Sequence, residues 1–91
     1  MHDQQIAPAQ IPRQAPVEAV EEYTQALRFD PENASTHNNL GVALLQLGED
    51  EKALEQFSDA LRLDPDYADA RRNLALTQSR MKNGKIDQAG K

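Results

Sequence analysis

One nine-residue phrase occurs twice in this chain, and the distance between its two copies constrains the fold more than any other feature. ALRFDPENA occupies residues 26–34, and the closely similar ALRLDPDYA occupies residues 60–68. The two copies start 34 residues apart, and we call this distance the repeat period. A repeat at a fixed period of about 20 to 50 residues is typical of chains that stack one supersecondary unit on the next. The sequence therefore predicts a small repeat architecture with a shared core.

Helical periodicity fills the region around these copies, and proline and glycine divide it into segments. Apolar residues on the third segment recur at intervals of three and four, at Ala53, Leu54, Phe57, Ala60 and Leu61, which places them on one helix face. The residue before a proline leaves helical geometry, and glycine suits a left-handed helix end. Four antiparallel helices are predicted, over residues 17–29, 34–47, 51–63 and 67–82, the last ending at Asn83-Gly84.

The two ends of the chain lack the helical periodicity of the middle. Residues 1–16 hold Pro8, Pro12 and Pro16 at four-residue spacing, and interior prolines break helices, so an irregular segment is expected there. Residues 83–91 are predicted to be a flexible tail. The helical domain is thus assigned to residues 17–82.

Residues 34–67 resemble one repeat of the tetratricopeptide family over their whole length. The positions that carry this resemblance, and that we expect to pack the repeat, are His37, Leu40, Gly41, Leu44, Ala53, Phe57, Ala60 and Pro65. His37 and Leu44 depart from the family pattern, which most often has Trp and Tyr at those places. The expected fold class is all-α, a short α-solenoid with one complete repeat flanked by two half repeats.

Both ends of the predicted solenoid lack a partner helix. The first helix carries Ala19, Tyr23 and Ala26 one repeat period before Ala53, Phe57 and Ala60, and its own partner would fall in the proline-containing segment. This face is expected to be covered, either by Ile6 and Ile11 folding back from the N-terminal segment or by self-association as a homodimer across a two-fold axis, and the second is the one we expect. A head-to-tail contact between the acidic front and the basic rear of two copies is the remaining variant. On the fourth helix the corresponding face carries Arg71, Ala75 and Gln78, which is the pattern of a polar terminal cap.

The resemblance also implies a binding groove, because first-type helices of the family line the concave side of the array. The groove positions that it assigns are Asn38, Asn39, Val42, Gln46, Arg72, Asn73, Leu76 and Arg80, with Ser35, Leu45, Asp69 and Ser79 beside them. Asn39 and Asn73 are equivalent and resemble rungs of the asparagine ladder in the repeats of O-linked N-acetylglucosamine transferases. An amide can bind a peptide backbone whatever its sequence. Arg72 and Arg80 flank Asn73, but the family's carboxylate clamp is not reproduced.

Composition limits the classes of function. Residues 17–69 carry thirteen acidic side chains against three basic ones, while residues 70–91 carry six basic against one acidic. An acidic chain is a poor match for nucleic acid. There is no cysteine and no apolar run of membrane-spanning length, so we expect a soluble protein, most simply cytoplasmic, with no metal, no cofactor and no membrane partner.

The sequence accordingly predicts a protein that is not an enzyme. Its expected function is a protein-interaction module that takes an extended peptide or a partner helix in the concave groove. The alternative is a structural unit that assembles with copies of itself through its exposed repeat ends.

Overall fold

The computed structural model describes the backbone of residues 14–89 and the side chains of residues 15–83, and this part of the chain forms four α-helices. Their bounds are α1 Gln14–Phe29, α2 Ala34–Gln46, α3 Asp50–Leu63 and α4 Ala68–Ala89. Each helix contacts the one before and the one after, and α2 also contacts α4. The predicted all-α solenoid of short helical hairpins is confirmed.

The turns between helices are built from local hydrogen bonds. Asn33 caps α2 by accepting from the backbone N–H of Thr36 at 3.0 Å. At the other end Gly48 adopts a φ of 81°, a left-handed conformation that favours glycine. The N–H of Glu49 then donates to the carbonyl of Leu44 at 2.9 Å, so the helix ends in a Schellman motif and the chain reverses into α3.

The two copies of the repeated phrase end α1 and α3 in the same way. After α1 the side chain of Asp30 accepts from the N–H of Glu32 at 3.3 Å, and after α3 that of Asp64 accepts from the N–H of Asp66 at 3.2 Å. Such aspartate turns lead the chain out of a helix and towards the next one. Pro65 is exposed in this turn, directly after the C-cap residue Asp64, where it stops α3 from continuing.

The core lies where α2 crosses α3. Ala53, Phe57 and Ala60 are fully buried on α3, and Leu40 and Leu44 are buried on α2. A Cβ atom added to Gly41 would lie 2.5 Å from the Phe57 ring, closer than any real contact, so the crossing requires glycine. Val20, Tyr23 and Leu27 of α1 and Leu74 of α4 pack around this cluster.

Two predicted helix boundaries are wrong. α1 begins at Gln14, before Pro16, because a proline in the first turn has no hydrogen bond to lose. α4 runs through Asn83-Gly84 to Ala89, because a single interior glycine costs a helix only about 1 kcal/mol and no proline follows it. The predictions for residues 1–13, including Pro8 and Pro12, and for residues 90–91 lie outside the described residues.

Candidate functional site

Helices α2 and α4 lie side by side, and the surface that they share is the candidate site; we call it the groove surface. Asn73 of α4 donates a side-chain N–H to Oδ1 of Asn38 on α2 at 3.0 Å, which joins the two helices directly. Beneath them, Thr77 is fully buried and its hydroxyl donates to the carbonyl of Asn73 at 2.7 Å. The Asn73–Asn38 bond links the two helices, whereas the Thr77 bond lies within α4.

The predicted groove residues differ widely in exposure. Asn38 is buried, and Val42, Leu45 and Asn73 are half-buried. The exposed members are Ser35, Asn39, Gln46, Asp69, Arg72, Leu76, Ser79 and Arg80. Asn38 therefore lies within the α2–α4 contact and not on the accessible surface. Sequence reasoning missed the Asn38–Asn73 bond, for which the only signal was an asparagine in each of two facing helices.

The two asparagines expected to act as equivalent rungs occupy different environments. Asn39 is exposed, and its side chain forms no hydrogen bond with any other residue that the structure describes. Asn73 already donates one amide N–H to Asn38, which orients the rest of its amide group. An amide has one carbonyl and two N–H groups, so Asn73 retains an acceptor and one donor.

An apolar patch lies at the centre of the groove surface. Leu76 of α4 is 51% exposed, and its equivalent Val42 on α2 is half-buried against the core. Leu45 packs on the same core cluster one turn further along α2. An exposed leucine on a surface that also carries partly exposed aliphatic residues and polar side chains is typical of a protein-binding surface.

Both arginines of the groove surface are engaged in ion pairs. Arg72 bonds Asp69 at 2.9 Å one turn earlier on the same helix, and both side chains are well exposed. Arg80 bonds both carboxylate oxygens of Asp50, at 3.1 and 3.3 Å, and so ties α4 to the first turn of α3. Exposed pairs are weak, so Arg72 can exchange partners more easily than the bidentate Arg80.

His37 lies behind this surface and uses both ring nitrogens. Its Nε2 donates to the carbonyl of Pro31 at 2.8 Å, and its Nδ1 lies 2.8 Å from Oε1 of Gln56. The ring is 8% exposed. This histidine therefore joins α2, the turn before it and α3, and neither nitrogen is available to act as a base or a metal ligand.

The predicted self-association residues are only partly covered. Tyr23 is half-buried against the core and Ala19 is half-buried, whereas Ala26 is exposed. Their equivalents Phe57, Ala53 and Ala60 are all fully buried. At the other end of the molecule, Leu54, Gln78, Met81 and Lys82 line an open cavity of about 230 Å³ between α3 and α4.

Two classes of site find no support in the part of the chain that the structure describes. Residues 14–89 contain no cluster of three histidine or acidic side chains that would hold a metal ion. None of their helices combines the length and the apolar character needed to cross a bilayer.

Comparison with known proteins adds a family. A family model described as TPR repeat, for tetratricopeptide repeat, matches residues 17–48 and 43–82. The two matched ranges together cover α2, α3 and most of α1 and α4. No curated protein matches the chain at a significant level.

Proposed function

We propose that this chain, which belongs to the tetratricopeptide repeat family, binds an extended peptide or a partner helix of another protein along its groove surface. Repeats of this family generally mediate protein–protein interaction, and the proposal assigns that interaction to α2 and α4. The observation that carries it is Leu76, an aliphatic side chain with 51% exposure on a surface whose other exposed side chains are polar or charged.

The groove surface offers a partner two kinds of contact. Leu76 and Val42 would receive an apolar side chain, and removing such surface from water stabilises a complex by about 25 cal/mol per Å². Asn39 and the remaining donor and acceptor of Asn73 would bind backbone groups of the partner. These amides support a likeness to the asparagine ladder, in which each asparagine side chain binds backbone groups of one stretch of the peptide.

Interaction fits these side chains better than catalysis does. The groove surface presents amides, paired arginines and a leucine, and His37 uses both its nitrogens in bonds to Pro31 and Gln56. A nucleophile needs a base within hydrogen-bond reach, and His37 is bonded elsewhere. The proposed role is therefore that of a non-catalytic interaction module, and it requires no cofactor.

The test uses peptides selected from a displayed random library against the wild-type protein. Leu76→Glu places a charge at the centre of the groove surface, and we expect it to raise the Kd of the selected peptides by at least about tenfold. Ser58→Glu makes the same addition of charge at an exposed site on α3 and should leave Kd unchanged. Equal binding by the wild type and Leu76→Glu, measured by fluorescence anisotropy, would exclude this surface.

We also propose self-association as a second function, because one observation favours it. Ala26 on α1 is exposed although its equivalent Ala60 is fully buried under a neighbouring helix. The predicted homodimer through Ala19, Tyr23 and Ala26 is one form of this association. Sedimentation of the wild type over a wide concentration range tests it, and a constant monomer would exclude it.

A further inference from the structure

Within residues 14–89, which the structure describes, the first and the last helix each lack a neighbour that the middle helices have. α1 is equivalent to α3 and α4 is equivalent to α2, in each case one repeat period away along the chain. α3 rests on α2 and buries Ala53 and Ala60 completely, whereas their counterparts on α1, Ala19 and Ala26, are half-buried and exposed. In the described part of the chain, α1 is thus a second-type helix without its first-type partner.

α4 has the complementary deficit. On α2 the side that receives α3 carries His37, Gly41 and Leu44, all buried. On α4 the same three positions are Arg71, Ala75 and Gln78, and all three are exposed. Among residues 14–89, α4 is therefore a first-type helix without a second-type partner, and a second copy of this chain carries a second-type helix, α1, that no first-type helix of the same described residues covers.

We infer that α1 of one copy docks on α4 of the next copy and forms an intermolecular repeat equivalent to the α2–α3 hairpin. This inference rests on the second proposed function, self-association, and is independent of the groove surface. The partner is a second copy of the chain, and the contact is head-to-tail.

The charges at the equivalent positions are complementary. Within the chain, Nδ1 of His37 on α2 lies 2.8 Å from Oε1 of Gln56 on α3. The position one repeat period after His37 is Arg71 on α4, and the position one repeat period before Gln56 is Glu22 on α1. The equivalent pair between two copies is therefore Arg71 and Glu22. The contact between copies would therefore contain an Arg–Glu ion pair where the contact within the chain has the His37–Gln56 hydrogen bond.

The aromatic position on α1 and the small position on α4 also correspond, while Gln78 stands in place of Leu44. Tyr23 takes the place of Phe57, and its ring, half-buried in a single copy, would gain cover from the second helix. Gly41 is replaced by Ala75, and because a Cβ at Gly41 would lie 2.5 Å from the Phe57 ring, the new crossing must be wider than the internal one. The contact between copies is thus looser than the internal hairpin, as a reversible association requires.

Charge also distinguishes this contact from a two-fold dimer of α1. Glu18, Glu21 and Glu22 are all exposed on α1, and a two-fold axis through this helix would bring two such acidic faces together. Residues 70–91, which carry most of the basic side chains, supply the opposite charge at the other end of the chain. A head-to-tail contact does not close on itself after two copies, so its particles grow with concentration.

The experiment measures self-association of the intact chain by sedimentation velocity, from low micromolar to millimolar concentration. We expect Glu22→Arg and Arg71→Glu each to weaken association by about tenfold, since each turns an attraction into a repulsion. The double variant should recover association, and so should an equimolar mixture of the two single variants. The control is Glu55→Arg, the same charge change on α3, which does not contact α1 within the chain.

The outcomes separate this contact from self-association in general. A wild type that stays monomeric overturns both the head-to-tail contact and the second proposed function. If the wild type associates and all three single variants associate equally well, only the head-to-tail contact is overturned. If Glu22→Arg changes association and Arg71→Glu does not, the contact is a two-fold one through α1, and the head-to-tail contact is overturned. Recovery in the mixture supports it, because unfolded variants would not complement each other.

Discussion

Gly41 lies where α2 crosses α3, and the ring of Phe57 occupies the space that any larger residue would need. Phe57 is fully buried, so its ring has no free volume into which to move. The sequence predicted this crossing from a small residue opposite an aromatic one. The contact distance of 2.5 Å from Phe57 to an added Cβ explains why even alanine is too large.

Gly41→Ala is therefore predicted to lower the free energy of unfolding by about 1–3 kcal/mol. The same change at Gly84, an interior position of α4, serves as the control and should be neutral or stabilising by up to about 1 kcal/mol. Urea denaturation followed by circular dichroism measures both. Equal midpoints for the wild type and Gly41→Ala would show that the two helices are further apart than the structure has them.

The two asparagines of the predicted ladder should separate in their effects on stability. Asn73→Ala removes the donor to Oδ1 of the buried Asn38, and an unpaired buried acceptor costs about 1–3 kcal/mol. Asn39→Ala removes an exposed side chain and should change stability by less than about 0.5 kcal/mol. Asn39→Ala is consequently the cleaner variant for binding studies. Similar denaturation midpoints for the two variants would contradict the Asn38–Asn73 bond.

At the scale of the helices, periodicity predicted each element but not all of the ends. Local signals sufficed at Gly48 and the two Asp-Pro pairs, because each acts on its own turn. At Pro16 and Gly84 the same residue types lie inside helices, since a proline in a first turn and a lone glycine are both tolerated. The residue type alone does not show whether a proline or glycine ends a helix or is tolerated within it.

His37 connects three elements, and a double-mutant cycle with Gln56 should detect one of the connections. His37→Ala removes the bonds to Gln56 and to the Pro31 carbonyl, so we expect a loss of about 1–3 kcal/mol in unfolding free energy. Gln56→Ala should cost less. The coupling energy between the two changes should be about 0.5–1.5 kcal/mol, and strict additivity would show that the side chains do not bond.

On the scale of the whole molecule, the repeat period predicted the order and the packing of the helices. It did not predict which groove positions are accessible, because that depends on the contact of α2 with α4, two helices separated along the chain by α3. Asn38 is buried for this reason, and Arg80 is held by Asp50 of α3 through the separate contact of α3 with α4. Leu76 and Asn39 remain exposed on the groove surface, and the proposed function rests on them.

The most direct test of that function maps the binding surface residue by residue. Titration of a library-selected peptide into the ¹⁵N-labelled protein should shift backbone amide signals at Asn39, Val42 and Leu76, while those of Glu55 and Ser58 on α3 stay in place. Adding the peptide to Leu76→Glu should abolish the shifts at Asn39 and Val42. Shifts that cluster instead on the exposed side of α3, with the α2 and α4 signals unmoved, would contradict the assignment of partner binding to the groove surface.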